Sequence, residues 1–210
     1  MQESGSLLAL LATVTAISLT GVIAPGPVTA VTITKGVQRK WAGPLVALGH
    51  AIVELPMFLL VWLGFATFLA APWVRVVVGV AGGIVLIWMG IGMLRTKQQA
   101  FEQQRDVGRG CVLAGMTTSI ANPYWLLWWA TVGPALVMRA SAWGLAGVLA
   151  FAAAHLLCDL GWLSLLSWGV FTSRRFFKAE VFRAVLAVCG AALLGFGVYF
   201  IVSGARFLSL

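Results

Sequence analysis

Six long apolar segments constrain this chain more than any other feature of its sequence. They cover approximately residues 7–34, 45–71, 76–94, 111–138, 145–172 and 184–205. A helix needs about 20 apolar residues to cross a bilayer, because each residue adds about 1.5 Å toward a hydrocarbon core of about 30 Å. In a chain of 210 residues that is 61% hydrophobic and 10% charged, these segments predict an all-α membrane protein with six transmembrane helices.

The basic residues predict which side of the membrane each loop faces, since short cytoplasmic loops retain Lys and Arg. With both termini outside, eleven of the 14 basic residues fall in inside loops, and only Arg75, Arg139 and Arg206 fall outside. The net charge of +8 is therefore interpreted as a topology signal, not as a sign of nucleic-acid binding. We expect a multi-pass protein of the inner (cytoplasmic) membrane with both termini outside.

A shared pattern in the second and fifth helices divides the chain into two similar halves. His50 and Glu54 stand four residues apart, and His155 and Asp159 repeat this spacing 105 residues later. Matching glycines also occur in the third and sixth helices, at Gly83, Gly90, Gly190 and Gly197. Because each half has an odd number of spans, the second must enter the membrane in the opposite orientation, as in many secondary transporters. The prediction is two inverted three-helix repeats, over residues 1–94 and 111–210, joined by a cytoplasmic loop over residues 95–110.

Both halves also carry a helix-breaking motif in their first helix. Pro-Gly-Pro interrupts the first span near the expected midplane, and Asn followed by Pro can cap a new half-helix in the fourth. Each new N-terminus would direct free N–H groups and a positive dipole end toward an anionic substrate group. Simple packing kinks are the alternative explanation. The candidate substrate-binding residues are Pro25, Gly26, Pro27, Asn122, Pro123 and Tyr124.

The paired histidines and carboxylates are the second candidate site. Residues four apart share a helix face, and a charge at the centre of a membrane helix costs roughly 2.5 to 3.5 kcal/mol on insertion scales. His50, Glu54, His155 and Asp159 are therefore interpreted as proton-coupling or substrate-binding groups. A self-satisfied polar lock between helices and a divalent-cation site remain alternatives. The favoured interpretation assigns no metal ligand.

Other features narrow the class of protein. No nucleotide-binding loop is present, and Cys111, Cys158 and Cys189 have no duplicated partners that would form a redox pair. We therefore expect no enzyme activity, no catalytic residue and no cofactor. The tryptophans that follow the second break, Trp125, Trp128 and Trp129, would line a substrate path or face lipid.

The chain resembles the LysE/RhtB family of amino-acid exporters over nearly its whole length. The resemblance rests on Gly21 through Pro25-Gly26-Pro27, on the turn from Lys35 to Lys40, on Gly49 with Glu54, and on Asn122-Pro123. The chain departs from the family pattern at Val28 and Tyr124 and in having both histidines. The resemblance implies export of a small solute from the cell.

Together these features predict a secondary transporter that exports an amino acid or similar small zwitterion and is driven by the proton motive force. Its expected partners are a small-molecule substrate, protons and the lipid bilayer, with no nucleic acid; the sequence leaves a homo-oligomer open. The alternative is a divalent metal-ion exporter that uses the paired His and carboxylate side chains as ligands.

Overall fold

A computed structural model of the chain describes residues 6–65, 68, 71–95, 110–174 and 179–206, and the elements in these ranges are helical. The helices are α1 (Leu7–Ile23), α2 (Pro27–Gly36), α3 (Ala42–Leu60), α4 (Pro72–Arg95), α5 (Gly110–Ile120), α6 (Pro123–Ser141), α7 (Gly144–Ser173) and α8 (Ala179–Arg206). This confirms the predicted all-α class. Most of the predicted cytoplasmic loop, residues 96–109, lies outside the described ranges.

Four described helical stretches are long and apolar enough to cross a bilayer. They are Ala42–Phe65, Val76–Arg95, Gly144–Ser173 and Arg183–Arg206. A fifth candidate is the pair α1 and α2, whose axes meet at 71°. The predicted fourth span corresponds to α5, which has only 11 residues, followed by α6. The chain is thus a multi-pass membrane protein, and the count of six spans stays a prediction.

Both predicted helix breaks are confirmed. Helix α1 ends at Ile23, and α2 begins at Pro27 after an extended Gly26. Helix α6 begins at Pro123, and the side chain of Asn122 caps it by accepting the backbone N–H of Tyr124 at 3.1 Å. Proline suits the first position of each half-helix because its missing N–H would have no partner there in any case.

The second predicted span is interrupted before its expected end. Helix α3 passes into a π-helical turn over Val61–Phe65, where Gly64 has a φ of 100°. A side chain is strained at such an angle, so the residue that leaves the helical path is a glycine. The segment predicted to run to about residue 71 is thus interrupted at Gly64, and residues 66–67 and 69–70 lie outside the described ranges.

Helices α4 and α8 pack as an antiparallel pair through glycines. Gly83 meets Gly197 and Gly90 meets Gly190, so closely that a Cβ atom added at Gly197 would lie 2.7 Å from the backbone oxygen of Gly83. Small residues allow such backbone approach in membranes, where packing rather than water exclusion holds helices together. The predicted matching glycines are thus the contact points between the third helix of each half.

The other helices surround the candidate site. Helix α3 packs against α5 and α7, and α1 packs against α7. At one end of this group the hydroxyl of Ser167 donates to the backbone oxygen of Lys40 at 2.9 Å. A Cβ atom added at Gly110 would lie 3.2 Å from Nζ of Lys35. The ends of α2, α5 and α7 that adjoin basic residues therefore lie close together, as expected for loops on one membrane side.

Two glycines in α8 provide a matched test of the glycine packing. Gly197→Ala places a methyl group against Gly83, which should cost about 1 to 3 kcal/mol of unfolding free energy. Gly195→Ala adds a methyl group where no atom lies within 4 Å and should be neutral or stabilising by about 0.5 kcal/mol. Thermal unfolding of both variants in detergent measures the difference. Equal melting temperatures would contradict the packing.

Candidate functional site

The facing sides of α3 and α7 carry two matching ladders of side chains spaced one helical turn apart. The first consists of Val46, His50, Glu54 and Phe58, and the second of Phe151, His155, Asp159 and Leu163. Each member of the second follows its counterpart by 105 residues. Residues four apart on a helix stack on one face, so each ladder directs its two polar groups to one place.

The four predicted ionisable groups form a single buried cluster. Nε2 of His50 lies 3.2 Å from Oε1 of Glu54, and Nε2 of His155 lies 3.3 Å from the same oxygen. Both Nε2 atoms lie 3.9 Å from Oδ2 of Asp159. None of the four residues is more than 8% exposed. Each imidazole therefore lies between a carboxylate of its own helix and one of the other.

Two indole groups complete the surroundings of Glu54. The Nε1 atoms of Trp125 and Trp129 both donate to Oε1 of Glu54 at 3.1 Å. These donors lie one turn apart on α6, just after the second helix break. A buried carboxylate is expensive unless charged and hydrogen-bonded partners surround it. The tryptophans that could have faced lipid thus face the interior here and bond the carboxylate.

Two serines fix the imidazole rings and were not among the predicted site residues. Ser18 of α1 contacts Nδ1 of His155 at 2.7 Å, and Ser119 of α5 contacts Nδ1 of His50 at 2.6 Å. The serines are 101 residues apart, whereas the prolines that begin the half-helices, Pro27 and Pro123, are 96 apart. The spacing between the two halves therefore changes along their first helices. The sequence signal for these serines is a polar residue in the first helix of each half, at a position from which it can face a histidine.

A cavity of about 90 Å³ lies between the cluster and the helix breaks. On this measure one water molecule needs about 10 to 15 Å³, so the space has room for several water molecules or one small solute. The predicted residues that line it are Pro25, Gly26, Pro27, His50, Glu54, Asn122, Tyr124, His155 and Asp159. Of Pro123, only its place at the start of α6 is described. The structure therefore brings both groups of candidate residues to one cavity, and their roles stay predictions.

The rest of the lining is mostly apolar or aromatic. Val22, Val28, Leu163, Leu193 and Phe196 contribute to it. Such a wall with a few convergent polar groups is typical of small-molecule sites. Trp128 also lines the cavity and stacks on His155, with ring centroids 4.7 Å apart and planes inclined by 18°.

An aromatic layer covers the cluster on the side away from the breaks. The rings of Phe58 and Phe151 stack with centroids 5.5 Å apart, and Trp129 meets Phe58 edge-on at 6.1 Å. Between this layer and the cluster is a space of only about 10 Å³. That is about the minimum that holds one water molecule. In this conformation a solute in the larger cavity cannot pass the cluster in that direction.

The bond from Trp129 to Glu54 should contribute measurably to stability. Trp129→Phe removes one donor to a buried carboxylate, a loss of about 1.5 to 3 kcal/mol. The matched control is Trp88→Phe in α4, because Trp88 is 75% exposed and would face lipid. Thermal unfolding in detergent should show a lower melting temperature for Trp129→Phe only. A Trp129→Phe protein as stable as the control would exclude the bond as a source of stability.

Comparison with known proteins agrees with this architecture. The family model described as LysE type translocator matches residues 19–204. A relative from Bacillus subtilis (strain 168), named "Putative amino acid efflux protein YcgF", is 26% identical over 187 residues, which are 86% of this chain and 90% of that protein. The "Chemotactic transduction protein ChpE" of Pseudomonas aeruginosa is 30% identical over 178 residues, 82% of this chain and 88% of that protein. No solved structure matches the chain. By the extent of the family match, the chain belongs to the LysE type translocator family.

Proposed function

We propose that this protein is a secondary transporter that exports an amino acid or a similar small zwitterion, driven by the proton motive force. The observation that carries the proposal is the shared cavity, which both half-helix N-termini and the His and carboxylate cluster line. A zwitterion needs one anion-binding and one cation-binding end, and this cavity has both. The name of the Bacillus subtilis relative supports the direction of transport.

The helix breaks would bind the carboxylate of the substrate. The N-terminus of α2 has no side-chain cap, so its first N–H groups would be the donors to this carboxylate. In α6 the N–H groups of Tyr124 and Trp125 are bonded by Asn122, so α6 would act through the partial positive charge of its helix dipole. Gly26 leaves the cavity side of the first break without a side chain. An anionic group at a helix N-terminus is a common arrangement in transporters with broken helices.

The cluster would bind the positive end of the substrate or carry protons. An imidazole next to a carboxylate can exchange a proton as a charged group enters and leaves. The proposed step is movement of a solute without covalent chemistry, so no residue is assigned a catalytic role. Alternating access would require the aromatic layer of Phe58, Phe151 and Trp129 to part on one side of the membrane and the cavity to close on the other.

The proposed topology has six spans in two inverted repeats, with both termini outside the inner membrane. The α1–α2 and α5–α6 pairs would each count as one broken span. The reciprocal contacts support the repeat: Gly83 with Gly197 mirrors Gly90 with Gly190, and Ser18 with His155 mirrors Ser119 with His50. On this topology the aromatic layer lies toward the outside.

Transport in proteoliposomes tests the proposal. Vesicles that contain the purified protein and a labelled amino acid are given an outside one pH unit more acidic, for each of the twenty amino acids in turn. One proton exchanged per solute allows about a tenfold concentration ratio. Glu54→Gln combined with Asp159→Asn should abolish this gradient-dependent flux.

Glu180→Gln is the matched control, since Glu180 is an exposed carboxylate in the first turn of α8. Its gradient-dependent flux should equal that of the wild type. If the pH gradient changes the flux of no amino acid, proton-driven amino-acid transport is rejected. If the double variant keeps the full gradient response, the two carboxylates are rejected as coupling groups.

A divalent cation is the second candidate substrate. His50, Glu54 and Asp159 offer ligand atoms that all lie within 4.8 Å of one another, and such donors can hold a transition metal. Bonds of about 2.0 to 2.2 Å to a metal such as zinc would require the group to contract. The half-helix N-termini that line the cavity would have no role in binding a metal cation. A zwitterion exporter therefore explains the cavity better than a metal exporter does.

Thermal unfolding with added Zn²⁺ or Mn²⁺ separates the two candidates. A metal substrate at a hundred times its dissociation constant would add about 2.7 kcal/mol of stability. That gain would disappear in His50→Ala combined with His155→Ala. We expect no such gain, and a gain lost in the double variant would favour the metal exporter.

A further inference from the structure

The two carboxylates of the cluster are bonded very unequally. Oε1 of Glu54 accepts N–H groups from Trp125 and Trp129 at 3.1 Å and also lies 3.2 to 3.3 Å from both imidazoles. Oδ2 of Asp159 lies 3.9 Å from each imidazole, which is beyond hydrogen-bonding distance. Among the described residues no donor reaches this oxygen. Glu54 is therefore held by hydrogen bonds, whereas Oδ2 of Asp159 has only the longer ion-pair contacts with the two imidazoles.

The inequality arises because the two halves differ around the cluster. On the side of Glu54, helix α6 supplies two indole donors. The hydroxyl groups of α2, the other half-helix, are already used: Thr29 donates to the backbone oxygen of Ala24 at 3.2 Å and Thr32 to that of Val28 at 2.8 Å. Aspartate is also one methylene shorter than glutamate. Its carboxylate consequently does not reach the imidazoles as closely.

A second oxygen of the cluster also lacks a donor. Oε2 of Glu54 is buried and, like Oδ2 of Asp159, has no hydrogen-bond partner among the described residues. Leaving a buried acceptor unsatisfied costs about 1 to 3 kcal/mol, and more for a charged group. Both residues line the cavity. Two unsatisfied carboxylate oxygens on residues that line one cavity are candidate acceptors for a ligand that carries several donors and a positive charge.

The described residues supply no hydrogen bond to these two oxygens. The cavity lining contains no Lys or Arg, and its two imidazoles lie 3.9 Å from Oδ2 of Asp159. A primary ammonium group is compact and carries three N–H donors, so it can bond two oxygens at once, and bonds between ionised groups are the stronger ones. A quaternary ammonium group has the same charge but no N–H. It would leave both oxygens unsatisfied.

We propose that Asp159 is the residue that binds a primary ammonium group of the solute, with Oε2 of Glu54 as the second acceptor. In this division Oε1 of Glu54 is a fixed anion that holds the cluster together. The inference rests on the proposed function in so far as the solute is the transported zwitterion. The assignment of Asp159 requires the solute to carry a primary amine. It therefore excludes N-trimethylated solutes and simple carboxylic acids as substrates.

Four compounds that share the isobutyl group of leucine test the inference by binding alone. The apolar wall makes leucine a suitable parent, so the probes are L-leucine, isopentylamine, 4-methylpentanoate and N,N,N-trimethyl-L-leucine. Binding to the full-length protein in detergent at pH 7 is followed by the fluorescence of the tryptophans that line the cavity. We expect the wild type to bind L-leucine and isopentylamine at least tenfold more tightly than the other two.

The variants Asp159→Asn and Glu54→Gln preserve shape and remove one charge each. Asp159→Asn should weaken the binding of isopentylamine tenfold to a hundredfold and leave the melting temperature unchanged or higher, because it removes a buried charge without a donor. Glu54→Gln should weaken amine binding less than Asp159→Asn does and should lower the melting temperature, because two imidazoles lose their fixed anion. Glu180→Gln should match the wild type in both measurements.

Three results would overturn the inference. They are equal or greater loss of amine binding in Glu54→Gln, wild-type binding of 4-methylpentanoate as tight as that of L-leucine, and no wild-type binding of isopentylamine. The result is independent of transport. If the expected binding pattern is found but no amino acid responds to the pH gradient, the proposed function fails and the assignment of Asp159 stands. If the flux responds and the binding pattern is absent, the reverse holds.

Discussion

The rest of this structure depends on one requirement, that two carboxylates and two imidazoles buried among membrane helices satisfy one another. Each group alone would be costly in an apolar environment. The one-turn spacing on α3 and α7 brings all four together, with Glu54 at the centre of the hydrogen bonds. A shift of α7 by one residue along α3 would rotate His155 and Asp159 off this face. The cluster therefore fixes the register of the two helices.

The two helix breaks lie across the cavity from this cluster, and their proposed role depends on that position. A break in a membrane helix exposes N–H groups that must find partners, and in this fold both breaks face the same cavity as the cluster. The cavity consequently has a partially positive end at the half-helix N-termini and an opposite end lined by carboxylates. Apolar side chains line the space between these two ends. The aromatic layer beyond Glu54 limits this space on one side. Fold and electrostatics thus combine in the site that we propose for a small dipolar solute.

Much of this arrangement follows from patterns that a sequence displays directly. The apolar segments, the prolines at Pro27 and Pro123, and the four-residue spacing of His50 with Glu54 each reflect a local rule of helix geometry. What the sequence did not predict is local irregularity inside an apolar run. The π turn over Val61–Phe65 with its left-handed Gly64 interrupts the second span where hydropathy gives no signal.

The surroundings of the cluster could not be derived for a similar reason. Trp125, Trp128 and Trp129 share one face of helix α6, at positions i, i+3 and i+4. Periodicity alone does not say whether that face points to lipid or to the interior. The contacts of Ser18 and Ser119 with the histidines depend on how far α1 and α5 slide along their neighbours. That displacement differs between the halves, because nine residues separate Ser18 from Pro27 and only four separate Ser119 from Pro123. A single repeat offset conceals this difference.

The pairing of Ser18 with His155 and of His50 with Ser119 has a consequence for how the protein is made. Each bond joins a residue of the first half to one of the second, and so do the contacts of Glu54 with His155 and both indoles. When only the first three predicted helices have been inserted, His50 and Glu54 therefore have none of these partners. The cluster can be completed only when α7, the fifth predicted span, is in place.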